Sequence, residues 1–458
     1  MEKIYTKYKE TSISLTTDEI KKLFYIETYG CQMNVADSEL VVSILNNSNF
    51  VHTEEIELAD LIFINTCSIR ENAEQRVRNR LQNFGVLKRQ KPSLIIGILG
   101  CMAERLKEKL LEEEKLVDII AGPDSYRSLP DLVREASEGE YGVNVLLSRD
   151  ETYADISPVR LDKNGVSAFV TITRGCDNMC AFCVVPFTRG RERSRNPQTI
   201  IDEVKDLVRS GYKEVTLLGQ NVDKYNWNSG ELNFAGLLEK TATVSPDLRV
   251  RFSTSYPADI TDEVIDVIAR NENICKYIHL PVQSGSNNIL EKMKRKYTSE
   301  YYLDRIKAIR AKIPDCSIST DIITGYCTET EDDHKQTLNL MEKVGFDFSY
   351  MFKYSERPNT YAQRNFPDDV PEDIKARRIT EIIDLQNKLS LLSNDNDKGK
   401  IFKVLIEGIS KKSNNQFFGR NSQNKVVVFS KSIYKIGDYV NVKIIKNSSA
   451  TLLGEIVE

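Results

Sequence analysis

The chain has 458 residues, enough for two to four domains, and its 40% hydrophobic and 28% charged content is that of an ordinary soluble globular protein. No run approaches the roughly 18 uninterrupted apolar residues of a membrane span, and the first ten residues lack an apolar signal core, so a cytoplasmic protein with no membrane partner is the expectation. Nine cysteines against three histidines disfavour a paired disulfide framework and favour all-thiolate ligation over a mixed Cys/His zinc site.

Residues 1–20 are polar and read as a flexible leader. A strand–helix rhythm follows over 21–147. Strands are predicted at Leu23–Thr28, Asp60–Asn65, Leu94–Leu99 and Val117–Ala121, with helices at Ala36–Leu45, Glu71–Lys91, Ala103–Lys115 and Leu129–Ala136. Short apolar runs between amphipathic helices indicate βαβ units around a buried parallel sheet. Residues 148–166 are polar, contain Pro158 and Gly165, and read as a linker. Across 167–395 the alternation resumes, with strands at Ala168–Thr173, Glu214–Leu218, Arg249–Ser253, Tyr277–Leu280, Ser317–Ile323 and Phe346–Phe352, then a charged exit helix from Asp373 to Leu392. Six repeats are too few for a closed eightfold barrel and suit an open (β/α)6 barrel. Residues 396–458 change texture. Short β runs at Phe402–Glu407, Lys425–Phe429 and Tyr439–Ile445, separated by turn signals, predict a small antiparallel β-barrel of OB-like type. The fold class is therefore α/β with an appended β module.

Charge is uneven along the chain. From Ile401 onward nine basic residues face four acidic ones, a net of +5, whereas the preceding body carries −9. A basic terminal module suggests a nucleic-acid grip, and solvated lysines are the plainer alternative.

Cys176, Cys180 and Cys183 follow the first barrel strand with the spacing C-x3-C-x2-C. Thiolates hold iron–sulfur clusters, and three on one loop take three corners of a four-iron cluster while the fourth iron stays open. A structural zinc site would want a fourth protein ligand, and none is evident nearby. The position also suits a barrel, whose sites form at the C-terminal ends of strands.

Cys31, Cys67 and Cys101 are far apart in sequence, yet each follows one of the first three strands. Parallel strands present their C-terminal ends on one edge, so three such thiols converge and can hold a second cluster. Isolated, each would be an ordinary buried cysteine. Gly30 and Gly100 precede two of them and allow a close backbone approach. Cys275, Cys316 and Cys327 share no such position and read as packing residues.

The C-x3-C-x2-C loop resembles the signature of radical S-adenosylmethionine enzymes. Both trios followed by a small β-barrel resemble the radical S-adenosylmethionine methylthiotransferase family, which has an N-terminal cluster domain, a radical barrel and a TRAM domain. The likeness spans about Phe24 to Val457. Strings at 29–34, 65–71, 183–190, 217–222 and 280–286 resemble its tRNA-modifying branch. The resemblance implies two 4Fe-4S clusters and S-adenosyl-L-methionine as cofactors, with Phe182 beside the adenine and Gln220 near the amino group. It implies 2-methylthiolation of isopentenyladenosine next to the tRNA anticodon, one cofactor molecule giving the methyl group and a second the radical. The implied partners are a tRNA anticodon stem-loop, an electron donor of flavodoxin or ferredoxin type and a sulfur source, with a monomer as the expected state. A ribosomal-protein substrate, or a non-catalytic zinc and RNA-binding protein, are the alternatives.

Further RNA-binding candidates are Arg189, Arg191, Arg193 and Arg195, which alternate after the radical motif, and Lys411, Lys412 and Arg420 in the tail, with Phe417 and Phe418 between them. Arginine suits bidentate phosphate contact, and basic residues mixed with aromatics suit RNA. Nucleic acid or the cofactor carboxylate is the favoured partner for at least one of the alternating arginines, the alternative being a solvated edge or pairing with Glu192 and acidic neighbours. One departure stands out: Gly325-Tyr326-Cys327-Thr328-Glu329-Thr330 lacks the Pro and second Gly usual in that loop of the family.

Overall fold

The computed structural model describes residues 21–67, 71–107, 109–162 and 164–457, without the side chains of 71–74. The stretch read as a leader lies outside the described residues.

The N-terminal sheet runs through β1 (Lys22–Tyr29), β2 (Phe50–His52), β3 (Leu61–Thr66), β4 (Ile95–Gly100), β5 (Ile119–Ala121) and β6 (Gly142–Asn144). Their order is β2-β1-β3-β4-β5-β6, and every pair is parallel. β3 and β4 are buried along their whole length, which is why they read as unbroken apolar runs. Leu61, Phe63 and Leu99 pack on one face against Leu40 and Val41 of α1 (Gln32–Asn46). Ile62, Ile64, Ile96 and Ile98 pack on the other against Val77, Leu81 and Phe84 of α2 (Glu71–Gln90). The edge strands β2 and β6 were not anticipated: three residues each, mostly half-buried, they leave no apolar run to read. The helix expected over 103–115 is broken into α3 (Cys101–Leu106) and α4 (Lys109–Glu113), because Lys107 between them takes φ +51°. α5 (Leu129–Ser137) closes the layer.

Among its described residues the 148–166 stretch has no helix or strand, but it is no loose tether. Tyr153 is fully buried, and Arg160 bridges Glu39 at 2.7 Å and Glu203 at 2.5 Å, tying the first domain to the second. Glu151 and Asp155 pair with Arg127, while Arg149, Asp150, Asp162 and Asn164 stay exposed.

The second domain opens with β7 (Ser167–Thr171), then a two-residue ribbon of β8 (Thr173–Arg174) on β9 (Arg193–Ser194) that spans the cysteine loop and the short α6 (Val185–Thr188). β10 (Glu214–Leu218) follows, then the small hairpin β11 (Asn226–Trp227) and β12 (Leu232–Asn233), and β13 (Arg249–Ser253). β14 (Tyr277–His279), β15 (Ser317–Thr324) and β16 (Phe348–Lys353) complete the set. The main strands run parallel as β7-β10-β13 and β14-β15-β16, and a parallel bridge from Val250 to Ile274 joins the halves. Six strands in chain order form the open partial barrel.

The C-terminal module is a closed barrel of β17 (Ile401–Ile409), β18 (Gln416–Arg420), β19 (Val426–Ser430), β20 (Tyr439–Asn447) and β21 (Leu452–Val457). It is antiparallel except between β19 and β21, which pair parallel. β18 and β21 escaped sequence reading because glycines interrupt them. Both glycines are required by close approach: a Cβ at Gly419 would lie 1.9 Å from the Leu405 carbonyl oxygen, and at Gly454 2.5 Å from that of Lys443.

This module plugs the end of the barrel opposite the cysteine loop. Glu214 and Arg249 are the first residues of their strands. Arg249 donates to the carbonyls of Arg420 (2.6 Å) and Lys403 (3.2 Å), and Arg251 to that of Asn421 (2.8 Å). Glu214, 1% exposed, accepts from Arg251 at 2.7 Å and lies 3.6 Å from Arg420. Burial pushes its carboxyl pKa up, but Arg251, Arg420 and Arg249 together outweigh that and hold it below the usual range. Its ionised form therefore stabilises the fold above the ordinary value of 4.5, and that contribution disappears as pH falls through the depressed one. Glu214→Gln should thus lower the urea midpoint most at neutral pH, with the deficit closing on acidification; a deficit that stays constant would refute the ion-pair account.

Candidate active site

β1, β3 and β4 are neighbours whose last residues are in register, Tyr29 opposite Thr66 and Thr66 opposite Gly100. The chain leaves each strand at one level, so Cys31, Cys67 and Cys101 emerge side by side at the carboxyl edge of the sheet. Cys31 caps α1 and lies at the exposed rim, Cys67 is buried with its N–H donating to the Tyr29 carbonyl (3.1 Å), and Cys101 is buried as the first residue of α3. Gly30 and Gly100 take φ of +128° and +86°, and a Cβ on Gly30 would stand 2.5 Å from the Cys67 Cβ. Only glycine permits that approach.

Asn34 and Asn65 frame the thiols. Asn34 Nδ2 donates to Asn65 Oδ1 (3.1 Å), Asn65 Nδ2 donates to the Asn34 carbonyl (2.9 Å), and Asn34 Oδ1 accepts from the Cys31 thiol (3.1 Å). Sequence reading quoted both asparagines in its motifs and gave neither a role. A hydrogen bond with Cys67, helped by the Arg189 charge and the amides of Asn34 and Met33, outweighs burial and draws the Cys31 thiol down to about 6. Burial pushes Cys101 up against the pull of Arg189.

The second trio lies on the loop after β7. The β8–β9 ribbon clasps its base, Cys176 N–H donates to the Gly190 carbonyl (3.2 Å), and a Cβ at Gly175 would lie 2.0 Å from the Arg191 carbonyl oxygen. Ala181 N–H donates to the Met293 carbonyl (2.9 Å) and Ala362 N–H to that of Ala181 (2.8 Å), so later barrel loops fix the centre of the motif. Cys183 N–H turns back to the Cys180 carbonyl at 3.0 Å. Burial pushes Cys176 up to about 11 and Cys183 to about 12, with the Cys180 charge adding to both. Half-buried Arg295 carries no sequence signal for a role, yet its Nη1 donates to the Cys180 sulfur at 3.2 Å. It is held by the Pro281 carbonyl (2.8 Å), the Tyr297 hydroxyl (2.7 Å) and the Tyr256 ring beneath it.

Among the described residues no three His, Cys, Asp or Glu side chains close up around a point as one metal ion requires. The corners of a four-iron cluster lie farther apart, and each trio suits that group better than zinc. His279 pairs with Ser319 and Asp321, and His334 with Glu381. Beside the second trio, past the end of β10, Gln220 Oε1, Asn221 Oδ1 and Asp223 Oδ1 are buried without hydrogen-bond partners, the kind of vacancy a polar ligand fills. Burial raises Asp223 to about 7. Phe182 packs with Ala181, Ile289, Met293 and Tyr354 behind the loop.

Known proteins match this architecture piece by piece. A model described as "Uncharacterized protein family UPF0004" matches residues 23–122, the Radical SAM superfamily matches 170–341, and the TRAM domain matches 396–457. A tRNA-2-methylthio-N(6)-dimethylallyladenosine synthase of Amoebophilus asiaticus is 57% identical, over 96% of this chain and 94% of its own. One of Christiangramia forsetii is 55% identical, over 99% and 98%. The chain belongs to the family of tRNA-2-methylthio-N(6)-dimethylallyladenosine synthases. It is therefore an enzyme of the radical S-adenosylmethionine superfamily, in which S-adenosylmethionine and 4Fe-4S clusters are the cofactors. Among solved structures, the radical S-adenosylmethionine methyltransferase TsrM of Kitasatospora setae shares the fold, with TM-score 0.56, 14% identity and 75% of each chain covered.

Within this synthase fold the alternating arginines take a different part from the one expected. Arg189, Arg193 and Arg195 are buried and engaged by acids. Asp37 of α1 accepts from Arg174 (2.9 Å) and Arg189 (2.8 Å), Asp124 from Arg193 (2.7 Å), and Glu203 from Arg195. Burial and ion pairing leave these three no exposed face to offer RNA in this structure. Arg191 stays 73% exposed beside Asp177, and Lys411 and Lys412 are exposed on the β17–β18 turn, away from the barrel seam. Arg420 is bound to Glu407 at 2.8 Å and faces Glu214, so it belongs to that seam. Phe417 is core and Phe418 half-buried. The unusual loop at 325–330 is fastened by Glu329, which accepts from Gly325 N–H (2.7 Å) and Arg378 (2.8 Å), while Thr328 takes the left-handed φ of +64°.

Asp37 is wholly buried, so removing it leaves Arg189 without a carboxylate and Arg174 with only Asp124, 3.7 Å away. Asp37→Ala should cost about 3–5 kcal/mol in urea denaturation, and Asp37→Asn less. A loss below about 1 kcal/mol would mean that the pairs behave like surface ones.

Proposed function

We propose that the chain methylthiolates carbon 2 of N6-dimethylallyladenosine, next to the anticodon of tRNA, with Cys176, Cys180 and Cys183 holding one cluster and Cys31, Cys67 and Cys101 the other. The observation that carries the reading is the meeting of two three-thiol sets at the carboxyl edges of two packed parallel sheets, each set one ligand short of closing a site. Cys176, Cys180 and Cys183 would hold a cluster that would bind S-adenosylmethionine and supply the electron for its reductive cleavage, and Cys31, Cys67 and Cys101 one that would supply a place for sulfur. Arg295 orients Cys180 and keeps positive charge beside it. Gln220, Asn221 and Asp223 present unmatched oxygens that suit the ammonium of the cofactor's methionyl end, and Phe182 belongs to the apolar wall. α1 lies across the ends of β7 and β10 through Met33, Ala36, Phe169 and Leu218, which keeps water from that side of the mouth.

Of the cations singled out in the sequence, Lys411, Lys412 and Arg191 stay exposed, which supports them as phosphate contacts. The reaction consumes an electron and a sulfur atom, so a flavodoxin- or ferredoxin-type donor and a sulfur source complete the system, in the cytoplasm where tRNA resides. A ribosomal-protein substrate is less well supported, because the relatives that match end to end carry a tRNA name.

Reconstituted protein should be brown with about eight irons per chain, falling to about four when either trio is changed to alanine. Incubated with isopentenylated tRNA, S-adenosylmethionine and reductant, it should yield the 2-methylthio nucleoside by mass spectrometry. Intact clusters without product would sink the tRNA reading. Lys411→Gln with Lys412→Gln should weaken tRNA binding and lower the salt slope of log K by roughly one per lysine; an unchanged slope would place the RNA elsewhere.

A further inference from the structure

Arg189 lies six residues beyond Cys183, on the loop of the radical motif, yet its side chain serves the other domain. α6 leads into it and packs on α3, whose first residue is Cys101. Arg189 Nη2 donates to Asp37 Oδ2 at 2.8 Å, while the other Asp37 oxygen is held by Arg174. Arg189 Nη1 makes no hydrogen bond, although the side chain is only 4% exposed. A buried donor without a partner is costly, so one retained beside a ligand site points to a group that meets it when the site is filled. Cys101 lies within hydrogen-bonding reach of the same guanidinium and Cys31 within reach of its charge, so Arg189 stands at the N-terminal trio.

We propose that Arg189 Nη1 is a hydrogen-bond donor to the sulfur shell of the cluster at Cys31, Cys67 and Cys101, and that Asp37 positions it there. The inference rests on the two-cluster reading above. Reduction adds negative charge to a cluster, and a charged donor at its sulfurs stabilises the reduced form and raises the potential. The planar fork of arginine serves a carboxylate with one arm and a sulfur with the other, whereas a lysine ammonium at this site keeps Asp37 and loses the second arm. The radical loop thereby sets the electron affinity of a cluster held by another domain, and the two sites are joined through one short segment, Cys183 to Arg189.

The test uses the full chain with Cys176→Ala, Cys180→Ala and Cys183→Ala, so that only the N-terminal cluster remains, followed by electron paramagnetic resonance during a redox titration. At the potential where this parent is half reduced, Arg189→Lys should lower the reduced-to-oxidised ratio about tenfold, a midpoint fall of about 59 mV for one electron. The paired change Arg189→Gln with Asp37→Asn, which removes both charges together and spares the fold an unmatched carboxylate, should do the same. Retained iron with an unmoved midpoint in both would overturn the role of Arg189 and leave the two-cluster reading standing. A parent that binds no iron or acid-labile sulfide would overturn that reading and the proposal with it.

Discussion

A carboxylate with no access to water organises this protein. Asp37 sits on the first helix of one domain, and both its oxygens are taken by guanidinium groups of the next, Arg174 and Arg189. An ionised carboxylate in such a place is tolerable only while its partners are held, and they are held by more of the same: the Pro123 carbonyl and the Tyr153 ring under Arg174, and Asp124 with Arg193 alongside. The pairs do not have to add much net stability to matter. Their geometry admits one relative placement of the two domains, because any slip leaves a charge uncompensated in a dry interface.

From that placement the two thiol sets follow. A parallel sheet delivers its strand ends to one edge, and the register of Tyr29, Thr66 and Gly100 makes the three exits level. The barrel delivers the loop after β7 to its own carboxyl edge, and α1 packs between the two. The thiols nevertheless differ in surroundings. Cys31 sits at a rim with an amide frame and a neighbouring cation, and its thiol is drawn down; burial pushes up Cys101 in the same trio and Cys176 and Cys183 in the other.

The fold was legible where one physical rule dominates. β3, β4 and the six main barrel strands are buried on both faces or alternate cleanly, and their apolar runs announce them. β2, β6, β18 and β21 are edge or glycine-interrupted strands whose existence depends on neighbours distant in sequence. The six clustered cysteines were legible because strand-end position is a local property. Asn34, Asn65 and Arg295 were not, since an amide frame and a donor to Cys180 arise only once elements 31 and 115 residues apart in sequence are brought together.

The arginines mark the limit of charge as a signal. Arg189, Arg191, Arg193 and Arg195 look alike in sequence, and an alternating row suggests an exposed edge. In the structure the row splits by what stands opposite. Asp37, Asp124 and Glu203 each come from a segment distant in sequence and draw three of the four inward, while Arg191 meets only exposed Asp177. Arginine suits that interior work because its rigid fork is weakly hydrated and can satisfy several acceptors at once, whereas lysine keeps a compact and strongly hydrated charge. The same division holds in the C-terminal barrel, where Arg420 is drawn into the seam and Lys411 and Lys412 stay in water. In this chain the cations buried around the site are arginines, and Lys411 and Lys412 stay in water, a distinction that net charge along the sequence cannot express.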